Sequence, residues 1–335
     1  MPVPVAPRSL RRGVAGLVVA CAVVAGCSPS STPPPTTTTV PRPLDLQAAT
    51  ASWQLPAPVS RAAVVVDGSA IVVLGGLATG DTSTAAVVRI DPASGSAAPA
   101  GTLVRAVHDA AGAAIGGRDV VFGGGAATTV STVQAWSAAG AQVVGTLPQP
   151  RSDLAAAVLS GTAYVVGGFD GTSMTADILA TTDGTTFRVA GHLAVPVRYP
   201  AVAVGDGALW VAGGHLGTAE SSTVGGQTDA IQRFDPATGQ TTVVGHLPVA
   251  LGHASALVLD GQLFVVGGRT GSTPSAQIWA VDTATGAVRA AGSLPGPRSD
   301  AGAVSIGGTG YLVGGEVAGP VAPLDTVVVL TPRRG

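Results

Sequence analysis

The chain has 335 residues, 46% of them hydrophobic and only 11% charged, with 48 Gly, 25 Pro and a formal charge of −2. Short apolar runs broken by turn formers are the mix of an all-β protein, too apolar and too regularly patterned for disorder beyond its ends. The near-neutral balance supplies no basic face for nucleic acid; the basic residues are all Arg, and neither Lys nor Asn occurs, as coding in a GC-rich genome would produce.

The first element is a leader. Arg8, Arg11 and Arg12 precede the apolar segment VAGLVVACAVVAG. That segment is short for a membrane span and reads as the core of a signal peptide over residues 1–26. It ends in Val24-Ala25-Gly26-Cys27, which resembles a bacterial lipobox, with Cys27 as the lipidated residue. Cys21 would leave a shorter apolar core. Lipidation would hold the protein on the outer side of the cytoplasmic membrane without a spanning helix. Cleavage would leave fourteen Arg against nineteen carboxylates, a net charge of −5, and no cysteine free for a disulfide. Residues 27–49, with SPSSTPPPTTTTVPRPL at their start, read as a Pro/Thr-rich tether.

From residue 50 to 332 one arrangement returns six times. Leu55, Leu103, Leu147, Leu193, Leu247 and Leu294 each stand twenty positions before the first residue of a glycine pair, at Gly75, Gly123, Gly167, Gly213, Gly267 and Gly314. The distance between copies wanders from 44 to 54 residues, so insertions fall outside the shared spacing. Within a copy, an apolar run (AAAVL) leads to a turn (Ser160-Gly161), and a second run (AYVV) reaches the glycines. More polar alternating runs follow, turning at strings such as Asp235-Pro-Ala-Thr-Gly239. That makes four short antiparallel strands per copy, the inner two small and apolar, the outer two mixed. The last copy stops one strand short, and Ala51-Ser-Trp-Gln-Leu-Pro56 at the other end supplies the missing piece.

The six glycine pairs, the apolar run before each, and the Leu-Pro-x-Pro-Arg-Ser-Asp strings at 147–153 and 294–300 resemble the kelch repeat. Tyr164 and Tyr311 fit its aromatic position; most copies lack that Tyr, and its outer Trp is irregular, with Trp136 and Trp279 as remnants. The resemblance implies an all-β fold: a six-bladed β-propeller of kelch repeats, its ring closed by an N-terminal strand completing the last blade. The glycines are expected where neighbouring blades crowd the chain and no Cβ fits.

The blade-to-blade loops and the loops after the glycine pairs emerge on one face. At the fifth and sixth positions after each anchoring Leu stand Ser60-Arg61, His108-Asp109, Ser152-Asp153, Arg198-Tyr199, Gly252-His253 and Ser299-Asp300. After the glycine pairs come Leu77, Gly125, Phe169, His215, Arg269 and Glu316. In so weakly charged a chain, Arg61, His108, Asp109, Asp153, Arg198, Tyr199, His215, His253, Arg269, Asp300 and Glu316 are the candidate binding residues. An insertion at 216–230 should overhang the same face. Arg151-Ser152-Asp153 and Arg298-Ser299-Asp300 also fit a structural role, tying blades together. His108-Asp109 and His253 lie in opposite blades, too far apart to share an ion, so no metal and no cofactor is expected. The string TTDGTTF at 181–187 reads as a turn.

The expected function is a membrane-anchored, extracytoplasmic binding or scaffold module that recognises a protein partner or cell-envelope glycan through this loop face. No catalytic motif is read. The alternative is implied by resemblance to exported kelch mutarotases of sialic acid, whose chemistry needs little beyond a carboxylate or His for proton transfer and Arg for the sugar acid. Asp153, Glu316, His253, Arg198 and Arg269 are available for it. Kelch-type copper oxidases fit poorly, since no cysteine remains for a crosslink.

Overall fold

The computed structural model describes residues 44–217, 226–317 and 322–334. The leader, Cys27 and the tether up to residue 43 lie outside these residues, as does 218–225 of the insertion.

Six four-stranded antiparallel sheets form the blades of a propeller. In order from the axis outward, blade 1 comprises Ala63–Asp67, Ala70–Leu74, Ala86–Asp91 and Ser96–Thr102. Blade 2 comprises Ala111–Ile115, Arg118–Phe122, Thr132–Ser137 and Gly140–Thr146. Blade 3 follows with Ala155–Leu159, Thr162–Val166, Asp177–Thr181 and Arg188–His192. Blade 4 has Ala201–Gly205, Ala208–Ala212, Ala230–Asp235 and Gln240–His246. Blade 5 has Ser255–Leu259, Gln262–Val266, Gln277–Val281 and Val288–Ser293. Blade 6 has Gly302–Ile306, Thr309–Val313, Leu324–Arg334 and, as its outer strand, Leu44–Val59.

The patterning follows from radial packing. A second strand is covered on both faces by neighbouring blades, so AIVVL at 70–74 and ALWVA at 208–212 are buried at every position. An outer strand such as Gln240–His246 has no fully buried position, only exposed and half-buried ones. The core is therefore six wedges, one per interface. Phe122 and Leu147 meet Ala163 and Leu179 between blades 2 and 3, and Ile71 and Ile90 meet Val313 and Val327 between blades 1 and 6. Small inner residues have the same origin, because blades converge toward the axis. The Asp183 string is a turn, its carboxylate accepting from the amides of Thr185 and Thr186 at 2.8 and 2.9 Å.

Each glycine pair locks one blade to the next. The second glycine's N–H donates to the carbonyl four residues beyond the next anchoring Leu: Gly76 to Val107, Gly124 to Arg151, Gly168 to Val197, Gly214 to Leu251, Gly268 to Arg298 and Gly315 to Val59, all at 2.8–3.0 Å. The first glycine lies so close to that carbonyl that a Cβ on Gly213 would stand 2.1 Å from the Leu251 oxygen. It also has a φ of +63°, so the position needs both missing bulk and left-handed freedom.

The ring closes as expected, and further along the chain than expected. Leu44–Val59 pairs with Leu324–Arg334 from Leu44↔Arg334 through Thr50↔Val328, then irregularly through Gln54↔Thr326. The boundary placed at residue 50 therefore moves to Leu44, and the end at 332 moves to Arg334. Leu44 and Leu46 explain the shift: both side chains are buried in the wedge between blades 5 and 6. Arg289 adds a hydrogen bond at 2.5 Å to each of the Asp45 carboxylate and the Leu44 carbonyl.

Two outcomes follow for stability. A chain starting at residue 60 should lose cooperative thermal unfolding, whereas one starting at 42 should melt like the chain that keeps its tether; differential scanning calorimetry distinguishes them. Gly213→Ala should cost more than about 2 kcal/mol through clash and strain together, while Gly161→Ala, with φ of +77° but nothing within 4 Å, should cost about 1 kcal/mol.

Candidate functional site

Three residues per blade meet at one end of the axis. The sixth-position residues Arg61, Asp109, Asp153, Tyr199, His253 and Asp300 all have left-handed backbones, with φ between +50° and +58°. Six non-glycine residues in this conformation carry strain of order 1 kcal/mol each, and a hydrogen-bonded circuit holds them there. The Arg61 N–H donates to the Asp300 carbonyl, Asp109 to Arg61, Asp153 to Asp109, Tyr199 to Asp153, His253 to Tyr199 and Asp300 to His253, at 2.7–3.2 Å. Every blade thus grips both neighbours at the mouth of the channel. Around this circuit, each fifth-position residue forms a bridge with the residue after its own blade's glycine pair: Ser60 with Leu77, His108 with Gly125, Ser152 with Phe169, Arg198 with His215, Gly252 with Arg269 and Ser299 with Glu316.

The side chains form one charged cluster. Arg61 binds Glu316 through Nε at 3.0 Å and Asp109 through Nη1 at 3.3 Å. Arg269 donates through Nη2 to Asp300, and to Glu316 at 3.2 Å. Ser60 donates to Glu316 at 2.9 Å, and His253 Nδ1 lies 2.5 Å from Asp300 Oδ1. Across the mouth, Arg198 Nε pairs with Asp153 at 3.2 Å, and the Tyr199 hydroxyl reaches Asp109, two blades away, at 3.3 Å. The Tyr199 ring stacks on His253 with centroids 3.8 Å apart, and His215 meets the His253 ring edge-on at 4.9 Å. Arg198 lies 5.2 Å above the Phe169 ring. His108 sits at the edge, 2.8 Å from the Ser83 hydroxyl and 3.7 Å from Asp109.

All eleven candidate residues are brought together, and most of them are buried rather than arrayed on an open rim. Asp109, Asp153, Arg198, His215, His253 and Glu316 are each at most 8% exposed. Burial alone would raise the Asp300 carboxyl, but His253, Arg269 and Arg61 outweigh it and hold Asp300 well below the usual carboxylate range. Burial likewise works against the Arg61 charge, and Asp109, Asp300, Tyr199 and Glu316 overcome it, so its pKa is raised. At Asp153 burial wins over Arg198 and the pKa rises. A cavity of about 170 Å³ lies beneath the circuit, lined by the first residues of the six inner strands. Among the described residues, no group of three or more His, Cys, Asp and Glu is placed to hold a metal ion.

The two Arg-Ser-Asp strings divide by role. Arg151 donates to the Asp177 carbonyl and the Thr175 hydroxyl. Arg298 donates to the carbonyls of Gly314 and Thr326. Burial lowers both guanidiniums to about 10, and both serve as struts within a blade. The aspartates two residues on, Asp153 and Asp300, face the mouth. Charge as a criterion missed Ser60, Ser83 and Phe169. It also missed Gln227, which closes the insertion, is 5% exposed and lies 3.0 Å from His215 Nε2.

Asp300→Asn should destabilise the protein by about 3 kcal/mol at pH 7, because it strips a buried cluster of its shared anion. A carboxyl whose folded pKa is depressed contributes above its unfolded value near 4 and loses that contribution as pH falls below it. The melting-point gap between parent and variant should therefore narrow from pH 5 to pH 2.

A family model for the Kelch motif matches residues 250–295, in the fifth blade. No curated protein matches the sequence. Among solved structures, one titled "Structure of YjhT" superposes with a TM-score of 0.70 at 16% identity, covering 84% of this chain and 98% of the other. The chain is thus a six-bladed propeller whose fifth blade matches the Kelch motif, and its likeness to the solved structure is one of fold.

Proposed function

We propose that this kelch-type propeller is a lipid-anchored, extracytoplasmic binding module whose channel mouth takes the end of a neutral or weakly charged cell-envelope glycan. The carrying observation is the balance of the buried cluster. Three guanidiniums, Arg61, Arg198 and Arg269, face four carboxylates, Asp109, Asp153, Asp300 and Glu316, a net charge of −1 with the histidines neutral. Such a mouth offers paired donors and acceptors rather than a field, which suits hydroxyls that both donate and accept. The half-buried Tyr199 ring, backed by the buried His253, adds an apolar edge for the C–H groups of a sugar. A flat protein surface would not reach groups this buried, which favours a narrow polar chain end over a globular partner. The lipobox at Cys27 supports anchoring outside the cytoplasmic membrane.

A second reading, a mutarotase or epimerase of sugar acids, is favoured by His253 and Asp300. Asp300, held ionised, accepts from His253 Nδ1–H, leaving Nε2 to take the proton of an anomeric hydroxyl. Ring opening would return a proton to the ring oxygen, and reclosure from either face would complete the exchange. Protonating one histidine would bring the mouth only to neutrality, so its charge balance favours an uncharged saccharide over an acidic one.

A thermal-shift screen of the detergent-solubilised chain against neutral and acidic saccharides tests the first reading. A neutral saccharide at 100 times its Kd should stabilise the protein by about 2.7 kcal/mol, and Tyr199→Ala should abolish that shift. A shift with acidic sugars alone, joined to accelerated anomer exchange by NMR that His253→Ala removes, would replace binding by mutarotation. No shift with any saccharide would sink both. Cys27→Ser should move the protein from the detergent phase to the aqueous phase on Triton X-114 partition.

A further inference from the structure

We propose that Gln227 is a positioning residue that holds His215 neutral, with its proton on Nδ1. Gln227 is where the chain returns from the insertion, and its amide is clamped from blade 5. The Gly271 N–H donates to Gln227 Oε1 at 2.8 Å, and Gln227 Nε2 lies 3.5 Å from the Gly271 carbonyl. A backbone N–H can only donate, so the oxygen of the Gln227 amide must face it and the NH2 must lie on the other side. That NH2 stands 3.0 Å from His215 Nε2. A donor there requires an acceptor, so Nε2 carries the lone pair and Nδ1 the proton. Protonating Nε2 would set two donors against each other at a site where both residues are at most 5% exposed.

The neighbouring blade is shaped to match. The fifth position after the anchoring Leu carries a side chain in five blades and none in blade 5, at Gly252. A Cβ on Gly252 would stand 2.5 Å from the His215 ring and 3.2 Å from Gln227 Nε2. Its φ is not in the left-handed region, so glycine is needed there for room rather than for conformation. Gly252, Gly271 and Gln227 thus seat one imidazole in one protonation state, next to His253, whose Nδ1 faces a carboxylate instead. The two adjacent histidines are thereby given different tasks. His215 is a fixed neutral ring, and of this pair only His253 can take up charge against a carboxylate. That selects for uncharged ligand groups beside blades 4 and 5, a consequence that rests on the ligand reading above, whereas the tautomer does not.

The test is a long-range 1H–15N correlation spectrum of the detergent-solubilised full chain labelled with 15N-histidine, without ligand. The chain has five His, and His215→Gln identifies the resonance. The expected spectrum shows a protonated Nδ1 and a bare Nε2 for His215, unchanged across the pH range over which the protein stays folded. In Gln227→Glu, where a carboxylate replaces the donor, the proton should move to Nε2 or the ring become charged. A His215 protonated at Nε2 or doubly protonated in the parent would overturn the proposal, and this outcome is read in the parent chain, His215→Gln serving only to assign the signal. The same tautomer persisting in a folded Gln227→Glu would overturn it equally. Saccharide binding is read separately by thermal shift, so failure of the ligand reading leaves the tautomer result standing.

Discussion

Everything in this molecule depends on a carbonyl that reaches across from one blade to the next and finds an N–H with no side chain in its way. The glycine pair provides that N–H and that clearance, six times. The contact sets the spacing between blades at the end of each second strand. It thereby fixes where the following residue, His215, Arg269 or Glu316, stands relative to the next blade. A propeller has no central core, only wedges, so the angle between wedges must be set by backbone contacts that do not depend on side-chain identity. The mouth can then vary freely in chemistry because its geometry is set one residue earlier.

The mouth itself shows how a chain so poor in charge concentrates what it has. Buried ion pairs are weak evidence for stability, and seven charged groups in one cluster are a costly way to close a channel. Apolar residues at the sixth positions would avoid that desolvation cost. The left-handed backbone at Arg61 and Tyr199, where a bulky side chain makes that conformation unfavourable, adds strain to the desolvation. Strain and buried charge gathered in one place cost stability, and that concentration supports the recognition role proposed for the mouth.

Much of this was legible in the sequence. The twenty-residue interval from Leu to glycine gave the blade count, and the fifth and sixth positions gave the mouth, because repeats place equivalent residues at equivalent points. The start of the closing strand was not seen, although Leu44, Leu46 and Ala48 alternate with Asp45 and Gln47 as a strand should. Pro41 and Pro43 just before them gave that stretch the look of a tether. Gln227 was invisible because it lies in an insertion, where no repeat position exists to compare it with. Nor does a one-dimensional pattern distinguish an open rim from a buried cluster: burial at the mouth comes from the convergence of six blades toward one axis.

Pairing Leu44 with Arg334 also governs how the protein is made. A chain synthesised from its N-terminus produces the outer strand of the sixth blade first and the rest of that blade last. Some two hundred and ninety residues must be synthesised before the two meet, and until then blades 1 and 5 each present an uncovered apolar face. Contacts of such sequence separation form slowly, and exposed edges in the interval invite misassembly. Closure must therefore wait for the strand Leu324–Arg334, and a product truncated before that strand would leave the ring open.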